Sequence, residues 1–163
     1  VIGQGNTLMT PFHNALLMCA VANDGVLMKP YVIDHIEGAD NTTVKENIPE
    51  IYADLMSKKD AKKLQKMLRE VVTDGTGYSL DTDLYTAAGK TGTAENEGKY
   101  ALAWFVGYSN VEDPDLVVCV LVENTGAGSK YAVPIAKKIF NSYYKNNMKE
   151  YYGEKKNTAQ SDE

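Results

Sequence analysis

The sequence predicts an α+β fold in which helices pack on an antiparallel sheet with three strands from this chain. Residues 100–109 and 116–124 are apolar, rich in β-branched side chains and joined by a turn containing Pro114, which is typical of neighbouring buried strands. Residues 85–94 predict the third strand. Because the connections are short, an antiparallel meander is favoured over parallel crossovers.

The first helix is predicted over residues 7–23. Thr10 is suited to its N-cap and Pro11 to its first turn, where a backbone N–H is not needed. Helical spacing predicts one apolar stripe, formed by Phe12, Ala15, Leu16, Cys19 and Ala20. We expect short extended segments within residues 26–36 and a polar loop over residues 38–47.

A second helix is predicted to begin near Ser57, which forms a capping-box pattern with Asp60. Its expected apolar face comprises Ala61, Leu64, Met67 or Leu68, and Val71. A final helix is predicted over about 131–151, with an apolar stripe of Ala132, Ile135, Ala136, Ile139, Phe140 and Tyr143. We expect one domain over residues 1–151 and a polar, disordered tail over 152–163.

Composition excludes several classes of function. The chain has 163 residues and a net charge of −5, which argues against a nucleic-acid partner because such proteins carry a basic surface. Two cysteines, Cys19 and Cys119, are too few for a disulfide framework and are expected to be buried free thiols. Two histidines, His13 and His35, are too few for a histidine-rich metal site. We therefore expect no metal and no cofactor.

The most informative motif is Gly89-Lys90-Thr91-Gly92-Thr93. A phosphate-binding P-loop would place glycine at position 84, where this chain has leucine. On a strand beside a cleft, Lys90 would supply positive charge, and the hydroxyls of Thr91 and Thr93 would lie on one side and bind a carboxylate. A surface lysine flanked by turn glycines would match the same motif, and the spacing of the residues alone does not separate these two interpretations.

Together with its flanking segments, this motif resembles the C-terminal half of the transpeptidase domain of penicillin-binding proteins. The resemblance extends from Ile2 to Phe140, and K-T-G is one of the boxes of this family, beside S-x-x-K and S-D-N. The similar blocks occur in the order of the family: Ile2-Gly3-Gln4-Gly5, Thr10–Ala15, Ala22–Gly25 with Lys29-Pro30, Val71–Gly77, Gly89–Ala94, Trp104–Tyr108 and Val118–Asn124.

The resemblance implies a peptidoglycan D,D-transpeptidase with an incomplete fold of the β-lactamase and transpeptidase type. A serine would attack the D-Ala-D-Ala stem peptide, a lysine would take its proton, and the acyl-enzyme would pass the peptide to an amine. Lys90 and Thr93 are the implied catalytic residues, through the charge of Lys90 and an oxyanion-binding backbone N–H of Thr93. Thr91 and Thr93 would bind the carboxylate of the peptide or of a β-lactam. Lys90 and Gly92 would also be substrate-binding residues, and Gln4 would line the rim of the cleft.

The resemblance also implies that parts of the site lie elsewhere. In the family, S-x-x-K and S-x-N precede G-Q-G and K-T-G, but here Ser142–Lys145 follows K-T-G, as do Tyr108–Asn110 and Tyr144–Asn146, the two matches to a tyrosine variant of S-x-N. We expect all three matches to be coincidental and this chain to be inactive alone. Strand 116–124 would then pair with the missing N-terminal part of the domain or with a second copy. The parent protein would act at the extracytoplasmic face of the bacterial membrane, through an anchor outside this chain.

Three alternatives stay open. One is a non-catalytic sensor that binds cell-wall peptides or β-lactams. Another is a related D,D-carboxypeptidase or β-lactamase. The last is a scaffold domain in which Lys90 is simply solvated.

Overall fold

The computed structural model describes residues 7–96 and 99–146. It confirms the predicted mixture of helices and antiparallel strands. The helices are α1 (Pro11–Ala22), α2 (Lys58–Thr73) and α3 (Gly128–Lys145), with a 3-10 helix at Tyr78–Leu80. The strands are β1 (Val26–Met28), β2 (His35–Glu37), β3 (Thr43–Glu46), β4 (Ile51–Asp54), β5 (Ala87–Asn96), β6 (Lys99–Ser109) and β7 (Leu116–Thr125).

The three long strands form the predicted antiparallel meander, in the order β5-β6-β7. Gly92 lies opposite Trp104, which in turn lies opposite Leu121. The register shifts once in each ladder, between Ala94 and Asn96 and between Ala101 and Ala103. The K-T-G residues lie before the shift in β5, so they belong to a regular part of the ladder.

Each face of this sheet packs on helices. Phe105 of β6 and Phe140 of α3 are fully buried in the core on one face. Tyr108 of β6 and Met18 of α1 are buried in a second cluster, on the opposite face. The sheet is therefore the middle layer, with α3 on one side and α1 on the other.

Helix α1 has the predicted cap, but only Ala20 of its predicted stripe is fully buried. The hydroxyl oxygen of Thr10 accepts a hydrogen bond from the backbone N–H of His13, and Pro11 occupies the first turn. The buried residues are Met18, Ala20 and Ala22, whereas Phe12 is 63% exposed. Since almost every residue of α1 is apolar, periodicity does not select a face, and packing against the sheet does.

Helix α2 is likewise capped as predicted, because the hydroxyl oxygen of Ser57 accepts a hydrogen bond from the N–H of Asp60. Its buried residues are Ala61, Gln65 and Val72. Of the two predicted alternatives, Met67 and Leu68, Leu68 is the one that packs against the core, whereas the prediction of Leu64 as a core residue was wrong. The polar Gln65 is buried because its amide nitrogen lies 2.7 Å from the carbonyl oxygen of Val21 and donates to it. The helical spacing of apolar residues cannot predict a buried polar side chain of this kind.

Helix α3 begins at Gly128, three residues earlier than predicted. Val133 and Phe140 are fully buried, whereas Ile135 and Ile139 of the predicted stripe are about two-fifths exposed, at 40% and 41%. The end of the predicted helix after residue 146, the boundary at 151 and the polar tail lie outside the described residues, and that division stays a prediction.

Residues 26–54 form an antiparallel arm in which β1 pairs with β4 and β2 pairs with β3. This confirms the expected extended segments within 26–36, but β3 replaces part of the predicted polar loop. Every residue of β3 is exposed. Because such a strand has no buried face, its sequence does not alternate between apolar and polar residues.

Candidate active site

The K-T-G motif lies on β5, which pairs with β6 on one side only among the described strands. On the other side, which we call the open edge of β5, the Arg69 guanidinium donates to the carbonyl oxygen of Ala87 and the Lys90 ammonium to that of Thr91, both at 2.8 Å. In an antiparallel ladder these directions alternate, and the N–H and C=O of one residue point the same way. The backbone N–H of Thr93 is therefore directed at the open edge.

The side chains of the motif divide between the two faces of the sheet. Ala87 belongs to the core that packs on α3 and Ala88 to the cluster that packs on α1. Because side chains alternate along a strand, Thr91 and Thr93 share the face of Ala87, while Lys90 and Gly92 share the opposite face. The exposed Lys90 side chain reaches the open edge through its long stem, where its ammonium meets the Thr91 carbonyl.

The hydroxyl of Thr91 is hydrogen-bonded to the hydroxyl of Thr76, with 2.6 Å between the two oxygens. Thr76 lies in the turn that follows α2. This contact links the motif to a block that the sequence already singled out, Val71–Gly77, but it joins residues 15 positions apart, which no local pattern reveals.

The hydroxyl oxygen of Thr93 accepts a hydrogen bond from the backbone N–H of Gly128, 3.3 Å away. Gly128 is the first residue of α3, and the N-cap residue Ala127 has no side chain that caps the helix. Thr93 therefore satisfies one of the free N–H groups at this helix end. Since the hydroxyl accepts here, its own hydrogen stays available to another acceptor.

One glycine, Gly128, allows α3 to approach the ladder closely. A Cβ atom on Gly128 would come within 3.0 Å of the carbonyl oxygens of Trp104 and Gly92. A Cβ atom on Gly92 is built 3.3 Å from the Cβ of Trp104, which is a tight contact. The small size of Gly128 keeps the helix end against the K-T-G strand, whereas Gly92 faces the opposite side of the sheet.

Two large cavities of the described part of the chain lie away from the motif. One, of about 790 Å³, is lined by residues 23–26 and 54–58, and another, of about 760 Å³, lies between α1, β1 and the turn from β6 to β7. Neither is lined by residues 90–93. Lys90 and Thr93 are exposed, whereas Thr91 and Gly92 are partly buried. Gln4, expected at the rim of the site, lies outside the described residues.

The serines of the matches that follow K-T-G, Ser142 and Ser109, lie far from Thr93. Ser142 lies 14 residues beyond Gly128 on α3, which corresponds to about 21 Å along the helix axis. Ser109 is fully buried and lies opposite Ala87, six residues from Thr93, or about 20 Å along the strand. The folded chain therefore does not bring either serine to the K-T-G residues.

The cysteines do not form a reactive site. Cys19 and Cys119 are free, as predicted, but only partly buried. Burial raises the pKa of both thiols, which disfavours the nucleophilic thiolate. Across residues 7–96 and 99–146, no three metal-ligating side chains cluster and no helix is long and apolar enough to span a bilayer.

Comparison with known proteins agrees with this arrangement. The family described as "Penicillin binding protein transpeptidase domain" matches residues 1–141. Peptidoglycan D,D-transpeptidase PbpA of Mycolicibacterium smegmatis is 32% identical over 147 residues, which cover 83% of this chain and 29% of that protein. Peptidoglycan D,D-transpeptidase MrdA of Haemophilus influenzae is 34% identical over 163 residues, which cover 87% of this chain and 25% of that protein.

Solved structures show the same relationship. Penicillin-binding protein A from M. tuberculosis, as an imipenem acyl-enzyme complex, superposes with a TM-score of 0.78 at 28% identity, covering 86% of this chain and 32% of that one. Penicillin-binding protein 2B from Streptococcus pneumoniae gives a TM-score of 0.72 at 25% identity, covering 84% of this chain and 25% of that one. The present chain spans only 25% to 32% of the length of these four relatives. It belongs to the penicillin-binding protein transpeptidase domain family.

Proposed function

We propose that this chain supplies the substrate-binding strand of a peptidoglycan D,D-transpeptidase. The observation that carries the proposal is the arrangement of β5, where the Lys90 ammonium and the Thr93 N–H occupy one open edge and the hydroxyls of Thr91 and Thr93 share one face. Relatives named as peptidoglycan D,D-transpeptidases support the assignment.

The groups on β5 match the charges of a D-Ala-D-Ala terminus. Two hydroxyl donors suit its carboxylate, because hydrogen bonds to an ionised acceptor are stronger than neutral ones. The N–H of Thr93 is suited to the oxyanion that develops on the scissile carbonyl. Lys90 adds positive potential beside both. A β-lactam carries the same carboxylate and carbonyl, and structural neighbours solved as imipenem and ceftriaxone acyl-enzymes support β-lactam binding.

The covalent step requires a nucleophile. In the proposed reaction a serine oxygen bonds to the penultimate D-Ala carbonyl, the amide C–N bond breaks, and the terminal D-Ala leaves with the proton. An amine of a second stem peptide then forms the new amide bond and releases the serine. In the family, S-x-x-K and S-x-N precede K-T-G, and the matches to them in this chain, at Ser142 and Ser109, follow it and lie about 20 Å from Thr93. We therefore assign nucleophile and base to residues outside this sequence and expect the chain alone to be inactive.

The segment that brings the nucleophile also has a candidate docking edge. Strand β7 has ten residues and lies at the end of the described sheet, so its outer backbone groups can pair with a further strand. We propose that the N-terminal part of the same domain pairs there in the complete protein, and that a second copy of the chain does so when the chain is isolated. The complete protein would work at the extracytoplasmic face of the bacterial membrane.

Acylation by a labelled penicillin tests the proposal. The complete protein should form a covalent adduct that Lys90→Ala slows strongly, whereas Lys138→Ala, an exposed change on α3, should have no effect. The isolated 163-residue chain should form no adduct. An adduct on the isolated chain would overturn the assignment of the nucleophile.

Three results separate the alternatives. Unchanged acylation in Lys90→Ala would support the scaffold. Stable binding without turnover of a stem peptide would support the sensor. Hydrolysis with no transfer to an added amine would support a carboxypeptidase or β-lactamase.

A further inference from the structure

We propose that Thr76 is a positioning residue, which turns the hydroxyl of Thr91 into a hydrogen-bond donor toward the substrate carboxylate. Its oxygen lies 2.6 Å from that of Thr91, a normal length for a hydroxyl–hydroxyl bond. The inference rests on the proposed function and adds a residue outside the K-T-G motif.

The turn that carries Thr76 is held in place on both sides. The N–H of Gly77 donates to the carbonyl of Val71 at 2.9 Å, and the N–H of Tyr78 donates to that of Gly75 at 3.1 Å. A Cβ atom on Gly75 would lie within 3.0 Å of Val71, so glycine lets the turn fold back on the last turn of α2. Thr76 therefore has a defined position relative to α2.

Helix α2 is in turn fixed to β5 by Arg69. Its guanidinium donates to the carbonyl oxygen of Ala87 at 2.8 Å and to the carboxylate of Asp81 at 2.9 Å. The rigid fork of arginine suits such a double contact. Through this link the turn after α2 stays beside the open edge of β5, and the Thr76 hydroxyl meets Thr91 there.

The hydrogen bond between Thr76 and Thr91 can take two directions, because either hydroxyl can be the donor. Each hydroxyl has one hydrogen, and the bond between Thr76 and Thr91 uses one of the two. If Thr91 donated, it would present only lone pairs to a carboxylate. When Thr76 donates, the Thr91 hydrogen is free, and the bond that Thr91 accepts makes it a stronger donor. A bound carboxylate selects this second arrangement.

The two threonines of β5 then work in the same way. Thr93 accepts from the N–H of Gly128 in α3, and Thr91 accepts from Thr76 at the end of α2. The end of α2 and the start of α3 thus leave both hydroxyl hydrogens of the strand available to the substrate carboxylate. Since Thr76 acts only through Thr91, its effect should be confined to ligands that carry the carboxylate.

The test compares acylation of the complete protein by a penicillin and by the methyl ester of the same penicillin. For Thr76→Val we expect the second-order rate constant with the free acid to fall about tenfold, with no comparable fall for the ester. Thr76→Ser should restore the rate with the acid. Thr73→Val is the matched control, because the Thr73 hydroxyl is exposed and bonds only to Arg69 of its own helix.

The outcomes distinguish this inference from the function on which it rests. A wild-type protein that acylates, together with a Thr76→Val variant that is unchanged or loses rate equally with acid and ester, would overturn the positioning role alone. A wild-type complete protein that forms no adduct with either compound would overturn the proposed function.

Discussion

The side chain of Thr93 accepts a hydrogen bond from the first N–H of α3, at Gly128, across 35 positions of sequence. The K-T-G strand and the last helix are therefore joined at the proposed site. This contact exists because glycine at position 128 lets the helix end lie directly on the backbone of β5 and β6.

Gly128→Ala should lower the free energy of unfolding by about 1–3 kcal/mol, because the added methyl group would overlap the carbonyl oxygens of Trp104 and Gly92. Urea unfolding measures the change. The matched control is Gly126→Ala, where the new Cβ would meet only the ring of Tyr131, at 3.4 Å. Equal stabilities of the two variants would contradict this close packing.

Gln65→Met should destabilise the fold by about 1–3 kcal/mol while keeping the volume of the side chain. Gln65 is only 4% exposed, and its amide donates to the carbonyl of Val21, which would otherwise be an unpaired acceptor at the end of α1. Thermal unfolding is the measurement, with the exposed Lys66→Met as control. A variant as stable as the wild type would show that this acceptor finds another partner.

Asp24 should make the free energy of unfolding depend on pH in the acid range. Hydrogen bonds from Lys58, then from Lys62, lower its pKa from 3.8 to about 2 in the folded chain. A lowered pKa stabilises the fold above the ordinary value, and this contribution is lost as the pH falls from about 4 to about 2. Asp24→Asn, which keeps the left-handed backbone at φ 53° accessible, should flatten the pH dependence of urea unfolding in this window. An unchanged slope would contradict the role of this carboxylate.

The isolated chain should associate through β7, and Leu121→Lys should shift it toward monomer, since a charge on an edge strand opposes pairing. Sedimentation over a range of concentrations measures this. Ile135→Lys on α3, at a side chain 40% exposed, is the control and should leave association unchanged. A wild-type chain that is monomeric at every concentration would rule out pairing through this edge.

The long strands and the helix caps could be predicted because their signals are local. Continuous apolar segments identified β6 and β7, and a single side chain such as Thr10 or Ser57 fixes where a helix begins. The buried faces of the helices were harder to predict from the sequence. The burial of Gln65 and the exposure of Phe12 depend on which surface each helix meets, and that information lies in distant segments.

The same distinction applies to the candidate site. The residues around Lys90, and the order of the similar blocks along the chain, indicated the strand and the family. The partners of its hydroxyls, Thr76 and Gly128, lie 15 and 35 residues from the threonines that they contact, so only the folded chain reveals them. The separation of Lys90 from Thr91 and Thr93 onto opposite faces follows from strand alternation.

Arg69 is the only arginine in the sequence. Its two terminal guanidinium nitrogens donate at the same time, one to the carbonyl oxygen of Ala87 in β5 and the other to the carboxylate of Asp81. Lysine has a single charged nitrogen and cannot reproduce that fork. Replacing Arg69 by lysine should therefore loosen the connection between α2 and β5 and displace the proposed substrate-binding strand without changing any residue of the K-T-G motif.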